Sequence, residues 1–433
     1  MTIFTQTITA RLQYISDFIG KELFGEAFQL TTDRQAYANI SGAKLNYTNE
    51  RMGDEEILIR PHSLLFETGI HPQEINCFDH IGHRAFFQTG GDIPFDIFAA
   101  SFYLLSRYEE YLPGRSDAYG RYNHENSLAY QEKFLSIPLV NIWLSDFKTY
   151  LLKKFPSVKC RANEFLFLPT YDIDMAWSYK HKGWWRTLAG VTRSFFKGEW
   201  GQMKERVSTL RGKQKDPYDA YGWMNHLHEQ YKLRPYYFFL LASSTGKYDK
   251  NISPGKQAMR DLIADHMIRY PIGIHPSWQS GDSVSLMKEE IASLSSVTGT
   301  AILSSRQHYI RFTLPATFRT LMENGIQFDF SMGYGSINGF RASVASPFYW
   351  YDLPLETATK LMLFPFCFME ANSYYEQKFT SAQALEEMRH YHREVKAVNG
   401  TFIIIWHNSL LGSDPVSKEW KTVYEQFVKE ISA

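Results

Sequence analysis

Cysteine is scarce: the 433 residues hold three, Cys77, Cys160 and Cys367, far apart and never as CxxC. That excludes a disulfide framework and a thiolate zinc site. Net charge is missing too, since 46 Lys and Arg balance 46 Asp and Glu. The global electrostatic case for a nucleic-acid partner goes with it. No apolar run is long enough to cross a bilayer; the longest, around FDIFAASFYLL, is short and interrupted. The start, MTIFTQTITARLQYISDFIGKELF, has no basic stretch leading into an apolar core, so it reads as an amphipathic helix, and a cytoplasmic location is the expectation. Repeats, low-complexity tracts, Gly-rich phosphate loops, GxSxG elbows and nucleotide-binding fingerprints are all absent.

Against these absences stand 44% hydrophobic and 21% charged residues, enough for a sizeable core. Aromatics reach 16%, which suits a large core and a carbohydrate-handling surface alike. Residues 1 to about 160 mix short strands such as EILIR (56–60) with helices over 94–112 and 136–155. SVKCRANE (157–164) marks the boundary, giving an N-terminal α/β domain, 1–160, and a second domain, 161–433. In the second, apolar strands alternate with helical stretches. The strands are FLFLP (165–169), PYYFFLLA (235–242), PIGIH (271–275), part of AILSSRQH (301–308), GIQFDF (325–330), LMLFPFCFM (361–369) and GTFIIIW (400–406). The intervening helices start at Pro or Ser and end at Gly. About seven β/α units imply a parallel sheet, open or closed into a barrel.

In such folds the chemistry gathers at the carboxyl ends of strands. TYDID puts Asp172 and Asp174 past the first strand. The others contribute His275, then Arg306, His308 and Arg311, then Asp329 with Arg341 close behind, then Glu370, and finally His407 and Asn408. Any one of these alone reads as an ordinary strand-end polar group; their joint placement on one rim points to a site. Asp and neutral His hold a catalytic divalent metal, which lowers the pKa of water and polarises a carbonyl. A second carboxylate can take the water's proton, and a histidine opposite can protonate a leaving amine. That is a recipe for hydrolysing an amide.

TYDID, HPSWQ (275–279), RFTLP (311–315) and FIIIWHN (402–408) resemble the motifs of the polysaccharide deacetylase superfamily, the NodB homology domain, over about residues 165–433. The resemblance implies a distorted (β/α)7 barrel that removes an acetyl group from an amino sugar of a glycan or glycoconjugate. It implies Asp172 as general base, Asp174 and His275 as metal ligands, Arg311 orienting Asp172, and His407 as general acid. The metal would be zinc, with cobalt, nickel or iron as alternatives. Gln279 stands where the family's second metal histidine belongs, and His308 is the candidate replacement; the alternative is that His308 only hydrogen-bonds a substrate or Asp172. Arg306, Asp329, Arg341, Trp406 and Asn408 are candidate substrate contacts. FDIFAASFYLLSRYEEYL, SLAYQEKFLSIPLVNIW, SRQHYIRF and GFRAS further resemble a divergent Bacteroidetes-type branch that carries an N-terminal domain of unknown function. Two rivals stay open: a glycan-binding protein with a degenerate site, and a C–N hydrolase acting on a small amide or cyclic ureide.

Lys180 to Lys215 holds ten Lys or Arg against two acids, interleaved with Trp184, Trp185, Phe195, Phe196 and Trp200. It reads as a solvated insertion, an anionic-substrate surface or a peripheral membrane contact. His226 and His228, two apart on a helix, read as structural. SPFYWYDLPLE (346–356) reads either as a sugar-stacking wall or as ordinary packing.

Overall fold

A computed structural model describes residues 1–183, 196 and 200–432. The N-terminal part is built on a four-stranded parallel sheet, β1 (Thr2–Thr5), β2 (Gln29–Thr31), β3 (Lys44–Tyr47) and β4 (Ile57–Leu58), in the order β2-β1-β3-β4. The amphipathic start forms the helix Ala10–Phe24. Thr9 caps it by accepting from Leu12 N, and Gly25 ends it in the left-handed conformation (φ 79°). The 94–112 stretch is α-helical over Ile97–Leu105 and resumes as a 3-10 turn over Tyr108–Tyr111. Asp96 caps the α-helix at Phe98 and Ala99, and Arg107 turns left-handed (φ 54°) and ends it. All nine residues of that helix are buried, so it is a core helix rather than an amphipathic one. A short antiparallel pair, β5 (Phe78–His80) and β6 (His83–Ala85), follows β4.

The rest is organised on a nine-stranded sheet: β7 (Leu166–Ile173), β8 (Tyr236–Leu240), β9 (Ile272–His275), β10 (Ser304–Ser305), β11 (Phe328–Asp329), β12 (Phe348–Asp352), β13 (Thr357–Leu363), β14 (Phe368–Met369) and β15 (Thr401–His407). Its order is β12-β13-β11-β10-β9-β8-β7-β15-β14, parallel except for the β12–β13 pair. LMLFPFCFM is therefore two strands, parted at 364–367, and not one. SPFYWYDLPLE makes the antiparallel edge strand β12. Tyr14 of the first helix donates to the Tyr349 carbonyl, so this aromatic run packs on the N-terminal part. The covering helices follow their caps. Ser283 and Gly299 bound Val284–Thr298, and a Thr380–Gln383 capping box opens Ser381–Ala397.

The sheet curls. In a flat sheet β7 and β10 would lie about 14 Å apart, three steps of ~4.8 Å. Yet Arg306, after β10, reaches Asp172 of β7 at 2.8 Å. Its guanidinium also lies 4.4 Å from the ring of Phe238 (β8), 5.8 Å from Phe330 and 5.9 Å from Phe366, just before β14. Strands from across the sheet thus converge around one side chain. One apolar core runs from Ile3 to Val428 and joins the N-terminal part to the large sheet. No helix among the described residues is long and apolar enough to cross a membrane. Of the basic aromatic stretch, 184–195 and 197–199, with Trp184, Trp185 and Phe195, lie outside the described residues.

Candidate metal and catalytic centre

β7 and β15 pair in register, with Asp172 opposite His407 and Tyr171 opposite Trp406. Side chains alternate between the faces of a strand. Asp172 and His407 therefore face the concave interior, and Tyr171 and Trp406 face outward. Asp174 follows immediately, on the bend after β7. His275 ends β9, and His308 lies three residues past β10.

Three imidazoles aim the same nitrogen at Asp174. His275 Nε2 is 3.1 Å from Oδ1, His308 Nε2 3.3 Å from Oδ2 and His407 Nε2 3.5 Å from Oδ2. Each is turned by an acceptor at its other nitrogen. Nδ1 of His275 donates to the Arg306 carbonyl at 2.5 Å, that of His308 to Asp249 at 2.8 Å and that of His407 to Glu370 at 2.8 Å. With Nδ1 committed to an acceptor, Nε2 serves as a metal ligand where the ring is neutral, the arrangement found in metal-binding histidines, and as a donor where it is protonated.

The residues fit a divalent metal. Asp174, His275 and His308 offer ligand atoms all within 4.8 Å of one another. Two ligands of a tetrahedral zinc, each ~2.0–2.2 Å from it, stand about 3.3 Å apart; here His275 and His308 approach the two different oxygens of Asp174, at 3.1 and 3.3 Å. Asp174 Oδ1 is buried and finds no hydrogen-bond donor, because His275 commits its proton to Arg306. His308 thus stands where a second nitrogen is needed. Gln279 is turned away, its amide reaching Asp249, the carboxylate that holds His308, at 3.4 Å.

The electrostatics couple His407, His308 and Asp174. Burial pulls His407 and His308 down, but the facing carboxylates outweigh it. Glu370 and Asp174 bring His407 to about 10, and Asp174 with Asp249 brings His308 to about 9. Burial pushes Asp174 up, yet His308 and His407 hold it well below the usual carboxylate range. Asp172 is buried, held by Arg306 at 2.8 Å, with its second oxygen 3.7 Å from His275 Nε2.

Several expected contacts lie elsewhere. Arg311 does not orient Asp172: it pairs with Asp282 at 2.6 Å, donates to the Trp278 carbonyl and lies over the Trp278 ring. Arg306 takes that place, so it is a positioning residue and not a substrate contact. Arg341 is buried in a two-pronged pair with Glu110. Asp329 is buried, bonded to Ser305 and Ser331, and raised to about 6 by burial. Trp406 packs on Tyr424 behind the strand. Asn408 staples the Met175 and Tyr218 carbonyls. None of these four lines the cavity of about 390 Å3 above the metal cluster, whereas Asp172, Asp174, His275, His308 and His407 all do. Spacing and strand ends alone assign no role to Asp249 or Glu370, and none to Tyr119 and Arg121, which reach the cavity from the N-terminal part. Asp249 is nine residues past β8, beyond the reach of a strand-end rule; Glu370 obeyed that rule but had no assigned partner.

Residues 1–156 match the model of a family of unknown function, DUF7033. No curated protein matches the chain. Among solved structures, a protein from Mycobacterium smegmatis assigned as a polysaccharide deacetylase is 14% identical, covering 64% of this chain and 87% of its own, with a TM-score of 0.41. A polysaccharide deacetylase from Bacillus cereus is 11% identical over 62% of this chain and 88% of its own, at 0.30. A CE4-family pseudoenzyme from Bacillus anthracis is 5% identical over 62% and 63%, at 0.31. Likenesses this loose carry no argument about this chain, and the case for its chemistry rests on the side chains themselves.

Proposed function

We propose that the chain is a metal-dependent amide hydrolase that removes an acetyl group from an amino sugar of a glycan or glycoconjugate. The observation that carries this reading is the pairing of the two flanks. Asp172 is fixed by Arg306 on one side of the Asp174–His275–His308 cluster, and His407 is fixed by Glu370 on the other. Asp174, His275 and His308 would hold the metal, taken as zinc from its two imidazoles and one carboxylate. When bound, it polarises the amide carbonyl and acidifies the attacking water.

The protein's own residues do the rest. Asp172, aimed by Arg306, takes a proton from water as its oxygen adds to the amide carbon. His407, held protonated by Glu370, gives its Nε2 proton to the amide nitrogen as the C–N bond breaks. Water and the N-acetyl group become acetate and a free amine. Asp249 keeps the His308 tautomer that leaves Nε2 free. Intact supporting partners around every reactive side chain favour catalysis over a degenerate binding module. The same reading takes the curled sheet as a distorted (β/α)7 barrel over 161–433.

The test is acetate release from a panel of N-acetylated amino sugars and their oligomers, using zinc-loaded protein beside Asp172→Asn. Release by wild type alone supports the reading. Equal release by both, or release by neither, overturns it.

A further inference from the structure

The N-terminal part does more than pack against the sheet. Its turn Asp117–Arg121 enters the cavity beside the metal cluster. Asp117 shapes the turn by accepting from Tyr119 N, Arg121 N and Arg121 Nε. Arg121 then clamps two carbonyls of the large sheet's loops, Tyr309 O at 3.1 Å and Gly335 O at 2.7 Å. A Cβ at Gly335 would lie 2.2 Å from Arg121 Nη1, so only glycine admits the clamp. On its other flank Arg121 faces Glu376 at 3.9 Å, on the segment after β14. The turn is therefore tied to the loop after β10 and to the segment after β14.

Tyr119 is the side chain this anchoring presents. The Arg121 guanidinium lies 4.6 Å over its ring, which stacks on Tyr309 at 5.1 Å and meets Tyr248 edge-on at 5.8 Å. Tyr309 in turn lies 4.6 Å from the ring of His308. Tyr309 and Ile310 are both left-handed, at φ 59° and 56°. That is a costly conformation for bulky and β-branched residues, and it persists where surrounding contacts enforce it. Here the clamp on Tyr309 O is such a contact. A long glycan reacting at an interior unit needs a channel open on both sides of that unit. A braced aromatic turn across one side leaves a dead end, and about 390 Å3 is at the small end of the ~300–1,000 Å3 typical of small-molecule sites.

We propose that the turn Asp117–Arg121 is the end wall of the active-site cavity, and that Tyr119 restricts the substrate to a single or chain-terminal N-acyl amino sugar, excluding interior units of a polymer. This rests on the hydrolase reading above and names its substrate class. Tyr119 is a specificity-determining residue; Arg121 acts through it as a positioning residue.

The experiment incubates zinc-loaded protein with β-1,4-linked N-acetylglucosamine oligomers of one to six units, tagged at the reducing end, and locates each lost acetyl group by fragment mass spectrometry. Wild type is expected to deacetylate one end unit only. Tyr119→Ala is expected to gain interior deacetylation, with kcat/KM for the hexamer relative to the monomer rising about tenfold. Tyr119→Phe, which keeps the ring, is expected to keep the end-unit positional profile. Interior deacetylation by wild type overturns the wall while leaving the hydrolase standing, and so does an unchanged positional profile in a folded Tyr119→Ala. Absence of release from every oligomer overturns the hydrolase reading and the wall with it.

Discussion

A lone histidine and a histidine cluster lie on opposite faces of β7. Outside β7, His228 bonds the Tyr171 hydroxyl at 2.8 Å and sits among the rings of Tyr171, Tyr237 and Tyr270. Inside β7, His275, His308 and His407 surround Asp174. Both places are buried, but the outcomes diverge. Burial takes His228 down to about 3, whereas His308 and His407 rise to about 9 and 10. Burial among hydroxyls and rings makes a histidine an inert packing group. Burial against carboxylates makes it a base-holding, proton-carrying or metal-binding one. The partner decides the chemistry, and one step along the strand, from Tyr171 to Asp172, decides the partner.

The comparison breaks if the inner face proves as inert as the outer one. Asp172→Asn should keep the metal and lose about 10²–10⁴-fold in kcat; acetate release together with metal content checks it, and a loss under tenfold would remove Asp172 as the base. Arg306→Met leaves Asp172 buried and unpaired, and should destabilise by about 3–5 kcal/mol in denaturant unfolding. Glu370→Gln should cut activity about 10–100-fold. It should also move the alkaline limb of the pH–rate profile downward, since His407 loses the carboxylate that keeps it protonated. On the outer face, His228→Gln should leave kcat unchanged and alter only acid stability. The folded pKa of His228, about 3, lies below the ordinary 6.5. The unfolded chain therefore binds the extra proton first, and stability falls as pH drops below 6.5. The share lost between pH 6.5 and 5 is about 2 kcal/mol, read as the difference between wild-type and variant unfolding curves. Smallest of all, Arg311→Ala should leave kcat unchanged and cost about 1 kcal/mol of stability, because the pair with exposed Asp282 adds little while the contacts with the Trp278 carbonyl and ring are lost.

The alternation that separates the two faces is legible in the sequence. Trp406 adjoins His407 on a strand, so the period-2 rule turns it to the other face, away from the cavity. The helices were the most legible elements, because Ser283, Gly299 and Thr380 with Gln383 cap them locally. Short strands such as Ser304–Ser305 and the antiparallel β12–β13 edge were less so, since pairing between distant segments sets them. Of the site, Asp172, Asp174, His275, His308 and His407 could be found from strand ends alone. Arg311 was chosen over Arg306 because a proline follows it, a spacing that says nothing about which guanidinium points inward. Asp249, Tyr119 and Arg121 come from loops distant in sequence; the fold brings Asp249 behind His308 and the N-terminal turn brings Tyr119 and Arg121 to the cavity.

The most direct test of the central claim is elemental analysis of protein purified without chelators or a histidine tag, incubated with zinc, and compared with Asp174→Ala, His275→Ala, His308→Ala and Gln279→Ala. The expected result is about one metal per chain in wild type, as a single structural cluster implies, lost in the first three variants and kept in Gln279→Ala. Wild type holding no more metal than Asp174→Ala would contradict the account.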